Sequence, residues 1–259
     1  MEPTAELEAL PGTRAALHRL AAHVLGRRRS DVTGRFGLRP APGGLATPAF
    51  GDAGEVVRVC GTVLVVERAG RLHAEPVTTL GRAAEAVGVD LAVPFAVGRD
   101  TPPGGDPDEP LDLRPTAVEA LAAWWAFGDT LLAELVAGAV GGRAAGGGAA
   151  PPGRVVAATV PQLWPEHFDH AGTLTVTAVA GDPVEVEVGA SPGDVHEAEP
   201  YLYVGPHGPE RPGDAAYWNA PFGALLRRSD LLAAPPGERR ARALAFLGRG
   251  LALAAGAVA

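Results

Sequence analysis

Apolar and polar positions divide the chain into segments of two periods. In "GTRAALHRLAAHVLGRRR", Leu17, Leu20, Ala21, Val24 and Leu25 form one stripe at helical spacing. His18 lies at the edge of that stripe and His23 further round. "DVTGRFGLRPAPGGLATPAF" reads as a strand broken by a Pro/Gly turn. "EVVRVCGTVLVVERAG" alternates like a hairpin with Cys60-Gly61 near the bend. A lone cysteine there is expected to be a small buried hydrophobe. "TTLGRAAEAVGV" predicts a short helix, and residues 99–115 read as a loop. "TAVEALAAWWAFGDTLLAELVAG" predicts a long core helix, because Thr116 and Glu119 have capping-box spacing. Val118, Leu121, Trp125, Leu132 and Leu135 would line its buried face, widened by Trp124 and Phe127.

The stretch from Gly138 to Arg154 is low in complexity and reads as a flexible Gly/Ala/Pro linker. Beyond it, "RVVAATV" reads as a strand. "TLTVTAVAGDPVEVEVGAS" is the clearest hairpin, with "GDP" expected at the bend. "EPYLYVGP" adds a strand, and "PPGERRARALAFLGRGLALA" closes the chain as a helix. The pattern predicts an α+β fold of antiparallel sheets with packed helices. Its parts would be an N-terminal half at 1–137, a linker at 138–153 and a C-terminal half at 154–259. The two halves are candidates for a repeat within one compact unit. A dinucleotide-binding fold is not expected, since no Gly-x-Gly-x-x-Gly follows a strand.

Composition narrows the function classes. All 22 basic residues are Arg, with no Lys or Ile, as the codon usage of a high-GC bacterial genome would give. The net charge of −8 lacks the footprint of a nucleic-acid binder. Arg27–Arg29 read instead as a charge cluster at a helix C-terminus. One cysteine allows no intrachain disulfide. The acidic N-terminus has no apolar core of a signal peptide, and the final apolar run is too short to span a bilayer. A soluble, cytoplasmic protein without a membrane partner is the expectation.

Rare side chains collect in three places. Between Trp164 and His170 stand Glu166, His167, Phe168 and Asp169. Pro165 argues against a helix interior. If the stretch is extended, His167 and Asp169 share one face, and a carboxylate there could orient the imidazole as a general base or metal ligand. The second place is "GASPGDVHEAEPYLYVGP", with His196, Glu197 and Glu199 followed by Tyr201 and Tyr203 on one strand face. Ser191 lacks a nucleophile-elbow context. The third is "YWNAPFGALL", whose Asn219 suits an Asx turn or a polar contact at a pocket rim. The candidate catalytic residues are Glu166, His167, Asp169, His196 and Tyr201. A metal version would use His167, His196 and a carboxylate from Glu166, Asp169 or Glu199. The residues leave the cofactor open, and the expected partner is a small molecule. Three readings stay open: an acid–base or metal enzyme, a non-catalytic module binding a ligand or protein, and a polar cluster that only staples the fold.

"LWPEHFD", "GASPGD", "EPYLYVGP" and "WNAPFGALL" together resemble an uncharacterised family of high-GC bacterial proteins, a domain of unknown function. "ALHRLAAHVLG" and "GGLATPAFG" extend the resemblance over most of the chain. It implies a shared α+β architecture and brings no activity, substrate or cofactor. It marks Glu166, His167, Asp169, His196, Glu199 and Tyr201 as motif positions and leaves His170 and His207 outside the pattern.

Overall fold

Short-range pairing builds both sheets. The computed structural model describes residues 3–141, 153–179 and 181–256. The chain divides into two units, Met1–Ala126 with Gln162–Asp169 and Phe127–Pro161 with His170–Ala259. The α+β class is as the pattern predicts.

The first unit opens with α1 (Pro3–Leu20), a π-helical turn (Ala21–Gly26) and α2 (Arg27–Thr33). The apolar stripe of α1 and the turn is fully buried, with Leu17, Leu20, Ala21, Val24 and Leu25 at 0% exposure. Five strands follow: β1 (Arg39–Ala41), β2 (Gly44–Ala46), β3 (Val56–Cys60), β4 (Val63–Arg68) and β5 (Arg71–Pro76). They pair in chain order as an antiparallel meander. The β3–β4 bend falls where the alternation places it, with Cys60 opposite Val63. Cys60 is exposed, contrary to expectation, because Val57 and Val59 take the inward positions of β3. Strand β5 escapes the alternation rule because this edge strand is mostly exposed and needs no apolar face. Helix α3 (Leu80–Val87) starts at a Thr79 cap and ends at left-handed Gly88. It packs on the π-helical turn and α1.

Arg27–Arg29 do not end a helix; they open α2, and each has its own partner. Arg27 donates to Asp31 and to the carbonyl of Val93. Arg28 pairs bidentately with buried Glu55, and Arg29 donates to the carbonyl of Gly37. Burial pushes the Glu55 carboxyl up. Hydrogen bonds from Arg28 and Arg68 outweigh that and hold it below its ordinary value.

Helix α4 (Pro115–Gly141) crosses from the first unit's residues to the second's. Pro115 is its first residue, so Thr116 lies inside the helix and is not its cap. Val118, Leu121, Trp125 and Leu132 are buried as the stripe predicts, with Trp125 at 0% exposure. Residues Pro115–Ala137 are long and apolar enough to cross a membrane by length and composition. The expected linker overlaps the helix at 138–141, and its residues 142–152 lie outside the described residues.

The second unit's sheet runs in the order β6 (Val155–Ala158), β8 (His170–Ala178), β9 (Gly181–Ser191), β10 (Tyr201–Pro206), β11 (Ala224–Arg227). The short β7 (Gln162–Leu163) belongs to the first unit and bridges Leu38 through two backbone hydrogen bonds. Ala178 pairs with Gly181, so the β8–β9 bend precedes "GDP", which lies within β9. After α5 (Arg228–Leu232), α6 (Arg239–Ala254) packs on β10, β9 and β11 through Ala243, Leu247 and Gly250. Each unit thus holds a meander; in the first, helices stand on both sides of the sheet in chain order, and in the second α5 and α6 follow it.

Candidate functional site

The Trp164–Asp169 stretch is a closed turn, not an extended strand. Phe168 N–H donates to the Trp164 carbonyl at 2.7 Å, and Trp164 N–H to the Asp169 carbonyl at 2.8 Å. Closing the turn puts Phe168 at φ +62°, an unusual conformation for a bulky residue. The structure around it holds it there. Phe168 is 1% exposed, stacked 4.8 Å from the His18 ring and edge-on to Trp125 at 4.9 Å. His18 Nε2 lies 3.0 Å and 3.1 Å from the carbonyls of Pro165 and Glu166. A carbonyl only accepts, so Nε2 carries the proton. Burial pushes the His18 imidazole down to about 4, even against these two hydrogen bonds, so it is neutral at pH 7. The α1 histidine and the turn therefore clasp one another.

The turn points its second histidine outward. His167 is half exposed, with Nε2 3.1 Å from Glu166 Oε1 and Nδ1 3.4 Å from Asp100 Oδ2. Glu166 is held against the backbone of Gly98, where a Cβ would collide with its carboxylate. An accessible imidazole between two carboxylates is chemically suited to acid–base work. Asp169 is buried, and its carbonyl closes the turn. Sequence reasoning paired His167 with Asp169; in the structure its flanking carboxylates are Glu166 and Asp100, the latter from the loop after α3.

In the second unit, Asp194 organises the "GASPGDVHEAEPYLY" stretch. Its Oδ1 accepts from the backbone N–H of His196 at 2.7 Å and Glu197 at 3.0 Å. Its Oδ2 accepts from the Tyr201 hydroxyl at 2.5 Å. Tyr201 is buried and stacked on Phe222, while His196 is exposed and sits edge-on to the same ring. Glu197 pairs with Arg227 at 2.6 Å, which holds its carboxyl below the ordinary range, and Glu199 accepts from Ser229. Ser191 accepts from the Gly193 N–H. Asn219 lends its amide to both backbone groups of Leu225 as a strand neighbour would. His170, 1% exposed, meets Asp129 of α4 at 2.9 Å, a pair the sequence did not suggest. Among the described residues, no three His, Cys, Asp or Glu side chains are grouped to hold a metal ion.

The first unit also contains a cavity of about 540 Å³ that no motif announced. Its floor is the π-helical turn and the start of α2, through His23 and Arg27; its walls come from Leu80, Leu91–Ala96, Thr101–Gly105 and Pro107. The turn is π-helical because the Arg27 N–H reaches back five residues to the Ala22 carbonyl. At Gly26 a side chain would press on the Ala21 and Phe36 carbonyls and on Pro165. His23 Nε2 donates to the Pro102 carbonyl at 2.6 Å and latches the loop. Arg19 fastens the same loop at Gly104 and Asp106. Helical spacing hides all this, since His23 and Arg27 read as ordinary flank residues and a Pro/Gly loop has no period.

No family model, no curated protein and no solved structure matches this chain.

Proposed function

We propose that this protein binds a small, largely apolar molecule in the cavity between the π-helical turn and the loop at 91–107. The observation that carries the reading is the cavity: its volume lies in the range of small-molecule sites, and its lining is apolar apart from a few polar groups. The π-helical turn supports it, since such turns concentrate at functional sites. The motif acids of the second unit support it indirectly, being occupied by Arg227, Ser229 and backbone N–H groups. Acid–base catalysis at His167 has one supporting observation, its flanking carboxylates. His167 does not line the cavity, and binding therefore ranks first. The test is titration with N-phenyl-1-naphthylamine, a neutral fluorescent probe. Saturable enhancement that is lost in Ala92→Trp, which fills the lining, is the expected result. Absent or Ala92→Trp-insensitive binding overturns the reading. Chemical change of a bound ligand that stops in His167→Gln would move the assignment to catalysis.

A further inference from the structure

We infer that the ligand of this cavity carries a carboxylate head on an apolar body, with Arg27 as its anchor. The inference rests on the binding reading above and names the ligand class. Arg27 is the one arginine in the lining, and the residue is only 8% exposed. Three contacts fix its guanidinium. Asp31 takes the Nε edge at 2.6 Å, the Val93 carbonyl takes Nη1 at 3.0 Å, and the Phe95 ring lies 5.0 Å from the guanidinium carbon. Nη2 meets no acceptor among the described residues, and Nη1 has a second N–H to give. A buried, oriented guanidinium with an unfilled donor edge in a cavity wall is a carboxylate receptor.

The charges nearby favour a single negative head. Asp31 occupies Nε and is more than a third exposed, which leaves Nη2 and the second Nη1 N–H for an incoming anion. Arg19, which ties down the loop, already faces Glu109. One open guanidinium edge serves one carboxylate; a doubly charged phosphate would leave charge unmet against walls of proline, valine and leucine. Those walls set the rest of the ligand as hydrocarbon.

The test is displacement of the naphthylamine probe by octanoate and by octan-1-ol, which share a chain and differ in the head. Octanoate should displace the probe at a concentration at least tenfold lower. That preference should vanish in Arg27→Met, with octanol displacement unchanged. Equal displacement by the two overturns the carboxylate assignment while leaving the cavity reading intact; a probe that never binds removes both. A preference that persists in Arg27→Met moves the anchor elsewhere and overturns the role of Arg27. The wild-type comparison decides by itself, so an Arg27 variant that does not fold leaves the head-group question answered.

Discussion

Phe168 shows how one side chain can justify an unfavourable backbone. A left-handed aromatic residue costs on the order of 1–3 kcal/mol, and burial against His18 and Trp125 has to exceed that. Phe168→Ala should therefore lose about 3–5 kcal/mol by denaturant titration. A loss under about 1 kcal/mol would mean that the turn does not depend on the ring. His167→Gln, one residue away and half exposed, should change stability by less than about 0.5 kcal/mol. The concentration of rare residues here was legible in the sequence; their division of labour was not. Periodicity assigns faces only to regular structure, and the turn rotates Phe168 inward and His167 outward against the alternation of a strand.

Elements with one buried face are legible in the sequence, though the points where they begin and turn are not, as the β8–β9 bend and the start of α4 show. Helix α4's buried stripe and the β3–β4 bend follow from burial on one face. Strand β5 and the loop walling the cavity carry no such one-sided burial, whereas Cys60 falls on the outward side of β3, whose inward positions are Val57 and Val59. Small residues are equally silent, because a glycine's reason for being in a helix lies in its neighbours. Gly248 and Gly250 of α6 illustrate this. A Cβ on Gly248 meets nothing within 4 Å, whereas one on Gly250 would strike the Tyr217 hydroxyl and the Val204 side chain. Gly248→Ala should therefore stabilise the protein by about 0.5–1 kcal/mol through helix propensity. Gly250→Ala, with the same propensity gain, should destabilise it by about 1–3 kcal/mol through overpacking. Thermal melts of the two variants on either side of wild type check the pair. Equal shifts would mean that α6 does not seat against β10 as described.

At the scale of the molecule, acid brings the buried groups of the first unit into play together. The folded His18 imidazole titrates near 4 against 6.5 when exposed, so the unfolded chain binds the extra proton throughout that window. A depressed histidine contributes its full stability above pH 6.5 and loses it as pH falls toward 4, a loss of about 3 kcal/mol at 1.36 kcal/mol per pH unit. His23 and Arg14 add positive charge near it and work in the same direction. Glu55 acts lower down. Its carboxyl is held below 4.5, so its contribution is whole above 4.5 and fades only as pH drops further. The melting temperature should therefore be flat above pH 6.5 and fall steadily between 6.5 and 4. His18→Leu keeps an apolar ring contact with Phe168 without a titrating group, and should flatten that window even if it melts lower overall. Glu55→Gln should lower stability at neutral pH, because it strands Arg28 and Arg68, but leave the slope between pH 4.5 and 6.5 as in wild type. A wild-type slope retained in His18→Leu would assign the proton uptake to another histidine and undo the clasp between α1 and the Trp164–Asp169 turn as the acid-sensitive element.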